Sequence, residues 1–362
     1  LTKSDRQTGG LNAVRSLAGR AIALNLEQPR GRIMTNVTPE PIMRISTGFM
    51  TSKHLFTASA IGLFEKLGDG AMTLDELAAA CGIPHRTLRI IADAMVSLGL
   101  VERDGARYRN GAAAAAFLSG RGGGLDMRPM LRFWDCISYG LWAGLEDAVR
   151  AGEGKRQFNR FSDQQQAIFS AGVEAFSGSA AAALADNYDF ATHKRILDVA
   201  GGTGSFLIPI LRGHPALQAT LFELPGACAV ARNRLVYEPE GNRVNVVEGD
   251  FFKDPLPGGH DLMLVANTVH VLSEAHNLKL LENLRAHAPE RARLLLVDLW
   301  LDATRAGPLP APLMSGEFLV MSGEGQAYGE ADADKWLRQT GWRKLELRHL
   351  AGPASFIIAE AA

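Results

Sequence analysis

The stretch Arg195-Ile-Leu-Asp-Val-Ala-Gly-Gly-Thr-Gly-Ser-Phe206 is followed by an apolar helical pattern and then by Ala219-Thr-Leu-Phe-Glu223. An apolar run that ends in glycines, a helix, and a second apolar run that stops on an acid read as a βαβ unit. Gly201, Gly202 and Gly204 let the backbone turn tightly and approach a ligand, because they carry no Cβ and accept positive φ. A Gly-x-Gly alone is shared with dinucleotide folds, so the flanking residues decide. Leu207 stands where the dinucleotide pattern has its third glycine. Asp198 places a carboxylate at a strand end where it meets a cationic ligand, and Glu223 ends the next strand where it accepts from both hydroxyls of a ribose. That combination suits a cationic ligand that carries a ribose.

With 362 residues the chain exceeds a usual single domain, so at least two are expected. Apolar residues make up 47% and the net charge is −1, the profile of an ordinary soluble protein that implies neither nucleic acid nor an anionic membrane as partner. Cys81, Cys136 and Cys228 lie far apart with no Cys-x-x-Cys spacing, which predicts a reduced, cytoplasmic protein. No apolar run approaches the roughly twenty residues that cross a bilayer. No secretory signal is evident, and since the chain opens on Leu1 its own start is expected further upstream. Leu11, Val14, Leu17, Ile22 and Leu26 suit a surface or dimer-arm helix better than an amphipathic presequence, because Asp5 and Glu27 interrupt the acid-poor composition.

Four segments are expected: an N-terminal extension over 1–40, a mostly helical winged-helix module over 41–120, a helical connector over 121–190, and the α/β domain over 191–362. From Pro41 an apolar stripe at helical spacing runs through Leu67 and needs a cover. Thr73-Leu-Asp-Glu76 is a capping box, Pro84 opens a second helix, and Asp104-Gly105 turns a two-stranded wing. DNA binding would rest on His85, Arg86 and Arg89, but Asp93 and the neutral chain argue against an electrostatic footprint. A packing or dimerisation role is the better reading. After Ser119-Gly-Arg-Gly-Gly-Gly124 come an aromatic-rich helix with Trp134 and Trp142 and a long helix from Ser162 to Asn187. Trp134 and Phe176 serve equally as core or as walls of a flat pocket.

From Arg195 the chain alternates strand and helix, predicting a doubly wound α/β sheet closed by an antiparallel hairpin around Ala351-Gly-Pro-Ala354. Ligands of such sheets sit at the carboxyl ends of the strands. Those ends offer Asp198, Glu223 with Leu224, Asp250 and Phe251 toward an adenine, Asn267 and His270, and Asp298. His270 and Asp298 leave neighbouring strands on one rim. A carboxylate there orients an imidazole, and histidine, with an ordinary pKa of about 6.5, is largely neutral at cellular pH as a general base must be. Alone, His270 reads equally as a satisfied core histidine. No metal constellation and no Gly-x-Ser-x-Gly elbow is present, and His276 and His287 are expected to face solvent.

Leu197-Asp-Val-Ala-Gly-Gly-Thr-Gly204, Phe222-Glu-Leu-Pro225, Gly249-Asp-Phe-Phe252, Val269-His270 with Ser273-Glu274, Leu313-Met314 and Phe318-Leu-Val-Met321 resemble the dimeric small-molecule O-methyltransferases. These include caffeate-type plant enzymes, acetylserotonin methyltransferase and bacterial enzymes acting on anthracycline, mitomycin and phenazine scaffolds. The resemblance covers the chain from about residue 42. It implies a Rossmann-like class I methyltransferase domain, S-adenosyl-L-methionine converted to S-adenosyl-L-homocysteine, a homodimer through the N-terminal helices, and a base and orienting acid at His270 and Asp298. It also implies a small hydroxylated acceptor. The residues Met314, Phe318, Met321, Trp134 and Phe176 themselves suggest an apolar, aromatic one, and Asn267 joins them as expected substrate-binding residues. Two positions depart from the family. His270 is followed by Val271-Leu272 rather than Asp-Trp, and a second supporting Glu falls on Ala327, leaving Glu324 and Glu330 as substitutes. C-methylation or cofactor-assisted decarboxylation or hydroxylation in the same pocket, and a ligand-responsive DNA-binding regulator, are the competing readings.

Overall fold

In the computed structural model, residues 37–362 are described, apart from Gly124, Phe158 and Asn159. The helix expected within residues 1–38 lies outside the described residues. The chain divides into two compact units after Gly48. In the first, helix Glu40–Ser46 leaves Ile42, Met43 and Ile45 exposed.

The apolar stripe expected through Leu67 is carried by more than one helix. Helices Gly48–Ala60 and Leu63–Leu67 are separated at Gly62, whose φ of +74° an unbroken helix of L-residues would not adopt. Helices Leu74–Cys81 and His85–Ser97 follow, the first held by the predicted box, in which Glu76 N–H donates to Thr73 Oγ1 at 3.3 Å and Thr73 N–H to Glu76 Oε2 at 2.7 Å. Strands β2 (Val101–Asp104) and β3 (Arg107–Asn110) form the predicted hairpin, and the short β1 (Met72–Thr73) pairs with β3 to make a three-stranded antiparallel sheet.

The connector is less regular than its periodicity predicts. Helix Arg128–Phe133 passes into a π-helical turn over Trp134–Ser138, then a short helix at Tyr139–Leu141 and a 3-10 turn at Trp142–Gly144. Helix Asp163–Asn187 starts on a Ser162–Gln165 capping box as expected. It has the length and mean hydropathy of a membrane span, which corrects the expectation that no stretch qualifies. Gly172, Ala175, Ser177, Ala180, Ala181 and Leu184 are nevertheless buried inside the fold.

The α/β domain is a seven-stranded sheet in the order β6-β5-β4-β7-β8-β10-β9. Here β4 is Arg195–Val199, β5 Gln218–Glu223, β6 Val244–Glu248, β7 Leu262–Ala266 and β8 Arg293–Asp298, all parallel. The last two, β9 (Trp342–His349) and β10 (Ser355–Ala361), are antiparallel, with β10 on the inside. Alternation along each strand feeds two cores. Ile196, Leu262, Leu264, Leu295 and Val297 pack with Leu184, Leu207 and Leu211, whereas Leu197, Val199, Met263, Val265 and Leu296 pack with Leu281, Leu284 and Leu337. Full burial of one such side chain contributes roughly 1.5–3 kcal/mol, so this layer fixes the strand ends rigidly. Strand order reverses at β4, with β5 and β7 on its two sides, and a crevice forms at their carboxyl ends.

Candidate active site

The turn after β4 is built on unusual backbone. Ala200, Gly202 and Gly204 have φ of 58°, 59° and 78°. A Cβ at Gly201 would overlap the Asp198 carboxylate, so only glycine fits there. Asp198 is 1% exposed, and neither of its carboxylate oxygens has a hydrogen-bond partner among the described residues. Burial, reinforced by the nearby charge of Glu223, pushes its pKa up to about 8. An unpaired buried carboxyl is costly unless a cation or donor completes it.

Glu223 ends β5 beside the same turn. Its carboxylate accepts from the backbone N–H groups of Leu224 and Gly202, while burial raises its pKa. Leu224 itself is half exposed. Arg234 secures the turn from outside, donating to Thr203 O at 3.2 Å and pairing with Glu174 at 2.7 Å. A Cβ at Gly249 would overlap the Phe222 ring, so the end of β6 packs closely against β5. Asp250 follows, but its carboxylate is already engaged by Phe252 N–H at 2.9 Å and Lys253 Nζ at 2.7 Å, and the lysine contact holds its pKa below the usual carboxylate range. Phe251 is half-buried against the core beneath β6, with its carbonyl held by Asn283.

On the other side of β4, His270 sits in a short 3-10 turn after β7 and Asp298 ends β8. His270 Nδ1 lies 2.7 Å from Asp298 Oδ1; the same carboxylate accepts from His270 N–H at 3.2 Å and Leu299 N–H at 2.7 Å. The imidazole stacks on Phe318, with centroids 3.8 Å apart and planes at 16°. Asn267, at φ 53°, donates to Ser177 Oγ at 2.8 Å, tying the end of β7 to the long helix that carries Phe176. Met314, Phe318 and Met321 lie on helix Pro310–Ser322; Met321 is buried against Phe133 and Ile137, and half-buried Trp134 bridges that cluster and the N-terminal core. Phe176 packs against the N-terminal core.

Neither proposed substitute for the second Glu is free. Glu324 Oε1 accepts from Arg156 at 2.8 Å and lies 2.7 Å from His276 Nδ1, and Glu330 pairs with Lys344. His276 is thus half-buried and hydrogen-bonded to Glu324 rather than fully solvated. Ala327 is buried with Leu299, Leu301 and Phe318 as an apolar wall. Sequence reasoning missed Glu317, Ser177 and the Glu174–Arg234 pair. For Glu317 a signal existed, since it interrupts the apolar stripe Met314, Phe318, Met321. A separate cleft of about 480 Å³, lined by Phe56, Arg132, Asp135, Cys136 and Ile168, contains none of these residues.

A family model described as an O-methyltransferase domain matches residues 142–343, and one described as an O-methyltransferase dimerisation domain matches residues 43–120. The 3-hydroxy-5-methyl-1-naphthoate 3-O-methyltransferase of Streptomyces sahachiroi is 33% identical over 328 residues, 88% of this chain and 93% of its own. Acetylserotonin O-methyltransferase of Rattus norvegicus is 28% identical over 88% of this chain and 76% of its own. Among solved structures, PigF with S-adenosylhomocysteine superposes with TM-score 0.80 at 27% identity, covering 90% of this chain and all of that one (100%). Human N-acetylserotonin methyltransferase in complex with S-adenosylmethionine shares the fold, with TM-score 0.82, 24% identity and coverage of 91% and 99%. The chain therefore belongs to the small-molecule O-methyltransferases that use S-adenosylmethionine and carry a dimerisation domain of their own.

Proposed function

We propose that this enzyme methylates the hydroxyl of a small aromatic acceptor, with His270 as general base and Asp298 as the acid that orients it. The observation that carries this reading is the 2.7 Å contact between His270 Nδ1 and Asp298 Oδ1. A carboxylate that accepts from Nδ1–H favours the tautomer in which Nε2 keeps its lone pair, as a base toward a hydroxyl requires. Stacking on Phe318 fixes the ring plane. With Ala327 in place of a second acid, Asp298 is the carboxylate that stabilises the imidazolium. Met314, Phe318, Met321 and Trp134 supply adaptable apolar walls for a flat ring.

S-adenosylmethionine, when bound, supplies a methyl carbon already activated by a positively charged sulfur. The residues at the ends of β4 and β5 fit it. Asp198 is a buried carboxyl without a hydrogen-bond partner among the described residues, complementary to the ammonium group, and Gly201 leaves room beside it. Glu223 offers a carboxylate for the ribose hydroxyls, and Phe251 and Asp250 border the adenine side. The walls and the glycine turn position the reactants and exclude water, which is where most acceleration arises when the electrophile is activated. Incubation with a panel of phenols and naphthols should give methyl ethers; methylation of ring carbons instead would overturn the reading.

Binding is expected to depend on pH through Asp198. Because its pKa in the free protein is raised to about 8, the protein holds that proton at neutral pH, and pairing with a cation expels it. Calorimetry at about pH 7 in buffers of different ionisation enthalpy should show release of close to one proton, with affinity weakening up to about tenfold per unit as pH falls below about 8. The sign for folding follows. A raised folded-state pKa contributes stability that is fully present below the ordinary carboxyl value of 3.8 and is lost as pH rises from there to about 8, so the ligand-free protein should lose melting temperature across that range and Asp198→Asn should flatten the loss.

The exposed Phe49 and Met50, and by themselves Ile42, Met43 and Ile45, are apolar surface suited to a second copy. Sedimentation is expected at the mass of two chains; a monodisperse monomer would contradict a homodimer.

A further inference from the structure

We propose that Glu317 determines acceptor specificity, selecting molecules that carry a second hydrogen-bond donor, a hydroxyl or an amino group, away from the oxygen that is methylated. The inference rests on the acceptor pocket proposed above. Met314, Glu317, Phe318 and Met321 recur at i, i+3, i+4 and i+7 on helix Pro310–Ser322 and so share one face. That face reaches the base through the Phe318–His270 stack and the connector through Met321 against Phe133 and Ile137. Glu317 lies in the middle of it and is 5% exposed.

A buried carboxyl there is expensive, and an apolar residue would complete the stripe at lower cost. Two neutral donors hold it: Ser138 Oγ–H donates to Oε1 and Trp142 Nε1–H to Oε2, the latter at 2.6 Å. Burial raises its pKa, and no cation contributes to the shift. Each oxygen accepts two hydrogen bonds, so one site on each is left beyond these two. Both donors come from the irregular part of the connector. Ser138 closes the π-helical turn, a geometry frequent at functional sites, and the Trp142 ring lies over Gly316, where a Cβ would come within 2.8 Å. The carboxyl is thus held in one orientation on the acceptor-facing stripe with accepting capacity to spare. The same group repels an acceptor that presents a carboxylate at this point.

The test uses the full-length enzyme with 2-naphthol, the isomeric dihydroxynaphthalenes, the aminonaphthols and the hydroxynaphthoates, read by tryptophan-fluorescence titration and by transfer of labelled methyl groups. The wild type should favour at least one two-donor isomer over 2-naphthol by roughly tenfold or more in kcat/KM, mainly through KM, and should disfavour the carboxylates. In Glu317→Leu this preference should collapse while 2-naphthol is handled as well or better. Glu317→Gln should keep the preference for a hydroxyl and lose any additional preference for an amine. Calorimetric binding of S-adenosylmethionine verifies that each variant is folded. Equal loss on every acceptor in Glu317→Leu, the result for a purely structural latch, overturns the proposal, as does a wild type that binds single- and two-donor compounds alike. The binding arm stands apart from turnover: donor-selective binding without methylation supports Glu317 and counts against the proposed reaction, whereas methylation without donor selectivity does the reverse.

Discussion

Replacing His270 by alanine is expected to lower kcat by roughly 10²–10⁴-fold, the usual contribution of a positioned general base, while S-adenosylmethionine binds as before. The two effects separate because His270 and Asp298 stand after β7 and β8, whereas Asp198 and Glu223 end β4 and β5. Asp298→Asn should also be strongly impaired. Its amide nitrogen, turned toward Nδ1, favours the tautomer with the proton on Nε2 and so removes the base's lone pair. Asp298→Ala should in addition unfold more readily, because the N–H groups of His270 and Leu299 and the imidazole Nδ1 all lose the acceptor they share. Turnover within about twofold of wild type in His270→Ala would show that the hydroxyl loses its proton without this base.

Glu223→Ala should weaken S-adenosylmethionine by about 10²–10⁴-fold, taking two hydrogen bonds to a charged group at roughly 1.5–3 kcal/mol each. Part of the loss is indirect. The carboxylate also accepts from Gly202 and Leu224, so its removal loosens the glycine turn that shapes the site. A second signature distinguishes this from general damage. Because the Glu223 charge helps raise the pKa of Asp198, the variant should release fewer protons on binding at neutral pH. Glu223→Gln, which keeps one acceptor, should fall between wild type and alanine. Calorimetry of the three proteins reads both quantities, and unchanged affinity in Glu223→Ala would remove this residue from the site.

These sites were legible where the chemistry depends on strand ends. The periodic runs at β4, β5, β7 and β8 locate the candidates Asp198, Glu223, His270 and Asp298, and parallel topology makes His270 and Asp298 neighbours, whose side chains lie 2.7 Å apart. Capping boxes at Thr73 and Ser162 were equally readable because both partners lie within four residues. What escaped depends on contacts between distant segments. The π-helical turn at Trp134–Ser138 carries no residue signature of its own, and Glu317 becomes significant only when Ser138 and Trp142 are brought to it from more than 170 residues away. The break at Gly62 was hidden because a glycine inside an apolar stripe also reads as a tolerated helix residue. Asp250 was readable as a strand-end acid, but not as one whose carboxylate closes its own turn through Phe252 and Lys253.

The most direct measurement is to supply S-adenosylmethionine labelled with carbon-13 in its methyl group, incubate it with the enzyme and hydroxynaphthalene acceptors, and read the product carbon by NMR, in wild type and His270→Ala side by side. The expected result is an aryl methyl ether signal that grows with wild type and is reduced at least about a hundredfold in rate with the variant. A methyl resonance attached to ring carbon, or an ether signal that grows equally fast in both proteins, would contradict base-assisted transfer to oxygen.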